Sequence, residues 1–166
     1  MTKKSIAAIL FSVAVVAGCG GQPDPRAYPG SEDGVSWEEA SARFQMTLPS
    51  CPVKEFHFDV QPRLTERLAF SFVASKSCVD KFLKQYGDDP ANPTRKWPVS
   101  DPEPRPPFDA DEMRQFGWTC DPKAKADLYT HLETPYHAKF SVFVKPGIEE
   151  TVYARSLTSG FPDPSK

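Results

Sequence analysis

The chain has 166 residues, with 18 prolines, four cysteines, 20 basic and 22 acidic side chains, and a formal charge of −2. That length makes one domain with a real core. The near-balanced charge, with no basic stripe, argues against a nucleic-acid partner.

The first element is a leader. Lys3 and Lys4 precede an apolar run from Ile6 to Ala17 that is interrupted only by Ser12. This is the positive n-region and h-region of a secretory signal, too short for a comfortable membrane span of about 20 apolar residues. It ends in Val16-Ala17-Gly18-Cys19. That ending resembles the lipobox of bacterial lipoproteins: a branched apolar residue, two small residues and a cysteine. The resemblance covers residues 1 to about 21 and implies a diacylglyceryl thioether on Cys19, which becomes the first residue of the mature chain. Two acyl chains anchor stably, at about 0.8 kcal/mol per buried CH₂. An ordinary cleaved signal with a free cysteine, or an uncleaved anchor helix, is the alternative. In style the whole chain resembles the small, high-proline extracytoplasmic lipoproteins of actinobacteria. The expected address is therefore the outer side of the cell membrane, with the bilayer itself as one partner. Removing residues 1–18 leaves 148 residues and takes the formal charge from −2 to −4.

Residues 19–34 follow as the lipidated cysteine and a Gly/Pro-rich segment that reads as a flexible tether; the alternative is a loop that docks through Tyr28. The folded domain is expected over 35–160, with a frayed tail at 161–166. Ser36-Trp-Glu-Glu39 is a capping box, and Trp37, Ala40 and Phe44 fall at helical spacing, so residues 37–46 predict an amphipathic helix. Residues 53–60, VKEFHFDV, and 67–75, RLAFSFVAS, alternate as half-buried strands and pair as a hairpin. Ser77-Cys-Val-Asp80 starts a second helix over 78–86, closed by Gly87. Residues 88–107 hold seven prolines and are read as a loop without regular structure. Asp109-Ala-Asp-Glu112 caps a third short helix that ends at Gly117. Residues 127–133, DLYTHLE, read as a strand, with a helical turn as the alternative. Residues 138–145 and 151–157 are strands joined at Pro146-Gly147. The sum is an α+β domain: an antiparallel sheet of four or five strands in two hairpins, covered on one face by about three short helices.

With Cys19 taken by lipid, Cys51, Cys78 and Cys120 remain, which means one bridge and one spare thiol in an oxidising compartment. If the first two strands pair antiparallel, opposed positions sum to about 128. Cys51 then lies opposite residue 77, next to Cys78, so Cys51–Cys78 is the expected disulfide. Cys78–Cys120 and Cys51–Cys120 compete with it.

No catalytic signature, cofactor-binding motif or metal motif stands out. His57 lies between Glu55 and Asp59 on one strand face. His131, His137 and Asp127 come from another segment, and isolated surface histidines explain them as well as a metal does. Cys120 beside a histidine, or two acids among Asp109, Asp111 and Glu112, would be the nucleophile or acid–base candidates. Nothing in their spacing selects them. The expected function is a non-enzymatic, membrane-anchored binding module for an envelope protein or cell-wall partner, using the aromatic and proline-rich segment 88–118. The alternatives are a small-ligand or lipid carrier with an apolar pocket between sheet and helices, and an unrecognised hydrolase.

Overall fold

The computed structural model describes residues 23–61, 67–97, 108, 110–118 and 125–157. Cys19, Cys120, the leader, most of the proline-rich loop and the tail lie outside the described residues. In chain order the elements are α1 (Trp37–Phe44), β1 (Lys54–Gln61), β2 (Arg67–Ala74), α2 (Lys76–Gln85), β3 (Arg95–Trp97), α3 (Ala110–Gln115), β4 (Ala126–Glu133), β5 (Lys139–Lys145) and β6 (Glu150–Ser156). The fold is α+β, with one antiparallel sheet in the order β1-β2-β6-β5-β4-β3.

Alternation in sequence becomes register in the sheet. His57 opposes Ser71, Phe58 opposes Phe70 and Val60 opposes Leu68, so the sum of 128 holds along most of the hairpin. It slips by one between Lys54 and His57, where Glu55 takes a left-handed φ of 49°. This is a bulge, one extra residue absorbed by one strand. Cys51 and Cys78 stand at disulfide distance, with Cα atoms 6.0 Å apart, and tie the start of β1 to α2.

The helices begin and end where side chains satisfy their free backbone groups. The Glu39 amide donates to the Ser36 hydroxyl oxygen at the start of α1. The Glu39 carboxylate pairs with Arg43 one turn on. The helix stops at Phe44, two residues earlier than the spacing predicts, because Gln45 turns left-handed at φ 47°. The Gln45 and Met46 amides then donate to the carbonyls of Ala42 and Ser41. Gly87, φ 88°, closes α2 in the same way: its amide and that of Asp88 donate to the carbonyls of Lys84 and Leu83. Such a paired closure consumes two carbonyls that would otherwise lack donors. α2 starts two residues before its expected position, with Ser75 as the N-cap residue in place of Ser77.

Two layers of side chains flank the sheet. On one side Phe58, Phe70, Phe72, Phe140, Val142 and Val152 pack against Trp37, Ala40 and Phe44 of α1 and Val79, Phe82 and Leu83 of α2. Phe70 sits at the centre, its ring 5.6–6.4 Å from those of Trp37, Phe72, Phe82 and Phe140. On the other side Ala69, Ala126 and Phe143 pack against Phe108, Phe116 and Trp118, with Met113 of α3 at the margin.

Three expectations change here. The sheet has six strands, because a three-residue strand forms within the proline-rich stretch. Pro93 and Pro98 leave residues 94–97 with intact N–H groups, and Arg95, Lys96 and Trp97 pair with Leu128, Asp127 and Ala126. The helices do not all share one face: α1 and α2 cover one, α3 the other. The odd-numbered positions of β2 and β5, Ala69 and Phe143, also need cover. The tether expected over 19–34 is packed on the domain from residue 23 onward. The Tyr28 amide donates to the Phe58 carbonyl at 2.7 Å, the Phe58 amide to the Arg26 carbonyl at 3.0 Å, and the Glu32 amide to the Val60 carbonyl at 2.8 Å. These bonds cover the outer edge of β1, an edge that would otherwise offer unpaired groups. Asp24 adds a second tie, accepting from the Trp37 amide at 3.1 Å and from the Arg26 guanidinium. The Arg26 contact holds the Asp24 carboxyl well below the ordinary carboxylate range.

Candidate functional site

Three aromatic side chains of the segment expected to be a binding surface are interior, while most of its other described residues are exposed. Phe108, Phe116 and Trp118 are 4%, 7% and 5% exposed and form the second core. The Trp118 indole N–H donates to the Tyr28 hydroxyl at 2.9 Å, and that hydroxyl meets Ser71 Oγ at 2.6 Å. The space between the sheet and α1/α2 is filled by interlocking rings, of which Phe58, Phe70, Phe72 and Phe82 have no solvent exposure.

The histidines separate. His57 lies against the Tyr28 ring, 5.3 Å between centroids. Its sequence neighbour Asp59 is buried, 1% exposed, and accepts from the Gln61 amide at 2.9 Å. Burial pushes the Asp59 carboxyl up to about 6. His131 stands at the β4 edge with Asp88 Oδ1 3.7 Å and Thr94 Oγ1 3.3 Å away. Both contacts fall on the same ring nitrogen, Nδ1. A histidine that relays a proton to a hydroxyl needs one partner on each nitrogen. Asp127 faces a different neighbourhood, and no group of three His, Cys, Asp or Glu able to hold a metal occurs among the described residues. Asp111 and Glu112 sit at the start of α3, as expected of acids there. Glu112 binds Arg155 and Arg67, which fastens α3 to the sheet.

A cleft that sequence reasoning missed lies at the other end of α2 from Cys78. It has a volume of about 560 Å³ and is lined by Gln45, Thr47, Gln85, Tyr86, Glu133, Thr134, Pro135 and His137. Its walls come from the C-terminal ends of α1 and α2 and from the β4–β5 turn. The Tyr86 hydroxyl organises it, accepting from the Thr47 amide at 2.6 Å and lying 3.3 Å from the Gln85 amide nitrogen. The Gln85 amide also donates to Thr47 Oγ1 at 2.7 Å. On the facing wall Glu133 Oε1 meets His137 Nδ1 at 2.5 Å.

Two features mark this cleft. Of three non-glycine residues with left-handed backbone among those described, two line it: Gln45 at φ 47° and His137 at φ 61°. Left-handed backbone costs a side-chain-bearing residue about 1–2 kcal/mol, and such strain concentrates at functional sites. In addition, Gln45 Oε1 is buried with no hydrogen-bond partner among the described residues. A second cleft, about 640 Å³, is lined by Pro23–Arg26 and Gly34–Ser36. Its charged groups Asp24 and Arg26 already satisfy each other. No sequence signal announces the first cleft, because three separate segments build it and none carries a motif. The chain matches no family model, no curated protein and no solved structure.

Proposed function

We propose that the protein is an extracytoplasmic lipoprotein, anchored through lipid on Cys19, that works as a non-enzymatic binding module for an envelope partner. The cleft between the helix ends and the β4–β5 turn carries the binding part of this reading: two residues with left-handed backbone and a group of side-chain amides and hydroxyls meet there. The leader ending in Val16-Ala17-Gly18-Cys19 supports the address. Cys51 and Cys78 at disulfide distance fit a chain that folds in an oxidising compartment.

Two measurements test the reading. Intact mass and membrane partition of the native chain are compared with Cys19→Ala. The wild type is expected to carry acyl mass and sediment with membranes, and the variant to be released; a variant still in the membrane fraction defeats the anchor. For the binding part, a photo-cross-linking residue at Tyr136, which is 42% exposed on the β4–β5 turn, is compared with one at Lys81 on the outside of α2. A discrete adduct from intact cells only at position 136 supports the cleft. Equal labelling at both positions, or none at 136, removes it.

A further inference from the structure

We infer that residues 23–34 are a pH-sensitive strap, closed on β1 while Asp59 is protonated and opening more often once Asp59 is charged. The device is independent of what the domain binds.

The strap meets β1 on both sides of Asp59. The Phe58 amide donates to the Arg26 carbonyl, and the Phe58 carbonyl accepts from the Tyr28 amide. At Val60 the amide donates to Ser31 Oγ at 3.0 Å, and the carbonyl accepts from the Glu32 amide. Asp59, between these two stations, lies on the α3 side of the sheet, where its cross-strand partner Ala69 belongs to the second core. The strap helps to close that side as well. The Tyr28 ring lies 4.9 Å from that of Phe116, and the Tyr28 hydroxyl accepts from the Trp118 indole. The Gln61 amide nitrogen joins the two parts, 2.9 Å from Asp59 Oδ1 and 3.2 Å from the Gly30 carbonyl oxygen of the strap. Asp59 is thereby shut in by β1, the strap and α3.

The surroundings of Asp59 give the direction of the switch. Its hydrogen bond among the described residues comes from a neutral amide, Gln61. From α3 it faces Glu112, a like charge that already engages Arg67 of β2 and Arg155 of β6. From the strap it faces Tyr28, whose ring rests on His57 of β1. A buried carboxylate with one neutral donor and a like charge nearby is costly, so the closed strap favours the proton. Opening admits water and removes that preference, which links the opening equilibrium to pH. The strap is also suited to open without the rest of the domain. None of residues 23–34 is fully buried, so little apolar area is surrendered when it lifts. Its other tie, Asp24 to Arg26 and the Trp37 amide, stays charged in mild acid, because Arg26 holds the Asp24 carboxyl far down.

Hydrogen exchange on the full chain reads the opening at the amides of Tyr28, Glu32, Phe58 and Val60. The Phe72 amide, within β2, reports whole-domain unfolding. Each rate is divided by the intrinsic rate of that amide at the same pH. The opening constant of the strap amides is expected to rise by about tenfold or more between about pH 4 and pH 7, and to exceed that of Phe72 throughout. Asp59→Asn should abolish the rise, and His57→Gln should keep it. A strap constant that is flat with pH, or equal to that of Phe72 at each pH, overturns the strap. So does a rise that survives in Asp59→Asn or disappears in His57→Gln. Should Asp59→Asn fail to fold, the wild-type comparisons and His57→Gln still decide.

Discussion

The two faces of the sheet are covered by different means. Under α1 and α2 the contact is almost wholly apolar, an array of aromatic rings around Phe70. Under α3 and the N-terminal segment, aromatic packing is supplemented by polar ties: Tyr28 to Ser71 and Trp118, and Glu112 to Arg67 and Arg155. Asp59 lies on that side, buried and with a raised carboxyl. The first face draws its stability from area removed from water, which varies little with pH. The second contains groups whose protonation matters. The lesson is that a short chain with both faces to cover used a dry solution once and a polar one once.

Large-to-small substitution should separate the faces most strongly. Phe70→Ala is expected to cost about 5 kcal/mol and Phe143→Ala about 3 kcal/mol, within the usual range for buried phenylalanine. Urea unfolding of both variants measures this. Equal losses would erase the distinction. Next in size is the cystine. Replacing Cys51 and Cys78 with serine should cost about 2–4 kcal/mol, read as a shift of the denaturation midpoint. A midpoint that does not move would show that the ring cluster holds α2 without the bridge.

The pH dependence sharpens the contrast further. Asp59 is protonated more readily in the folded chain, near 6, than the ordinary value of 3.8. Between those values the folded state holds the proton and the unfolded state releases it. Stability from this group is therefore full below about pH 4, falls as pH rises to about 6, and stays lower above. The total is on the order of 1–3 kcal/mol. Asp59→Asn should flatten the stability profile between pH 4 and 6 and stabilise the protein at pH 7. A profile identical to wild type would mean that Asp59 is not the titrating group. The smallest effect belongs to the cleft. Gln45→Gly relieves left-handed backbone and should add about 1 kcal/mol, while weakening binding at the cleft. A more stable variant that binds as well as wild type would show that Gln45 serves only to end α1.

Local signals carried much of this architecture. The alternating phenylalanines of β1 and β2 set the faces and the register, and the register placed Cys51 beside Cys78. Pro146-Gly147 marked the turn between β5 and β6. What the sequence did not disclose depends on distant partners. β3 is three residues long and exists because β4 offers it an edge. β6 lies beside β2, across most of the domain in sequence. Residues 23–34 carry no strand or helix pattern, since their hold on β1 combines backbone bonds with scattered side-chain contacts such as Ser31 Oγ accepting from the Val60 amide. The cleft was invisible for a related reason: Gln45, Gln85, Glu133 and His137 come together only once both helices have ended at the same end of the sheet.

If Cys19 is lipidated as proposed, the docking of residues 24–28 on β1 and α1 also limits how far the domain can stand from the bilayer. Only residues 20–23 would then separate the lipid from the Asp24 contact. Fully extended, the five steps from Cys19 to Asp24 reach roughly 18 Å. The sixteen residues read as tether from the sequence would have allowed about three times that. A domain of this size has a radius of gyration near 15 Å and so an outer diameter of about 38 Å, which would keep the whole molecule within roughly 55 Å of the membrane surface. Such a short leash would leave little freedom to move outward from the membrane. It would favour sweeping along the membrane plane, and a partner would have to come to that thin layer to be met.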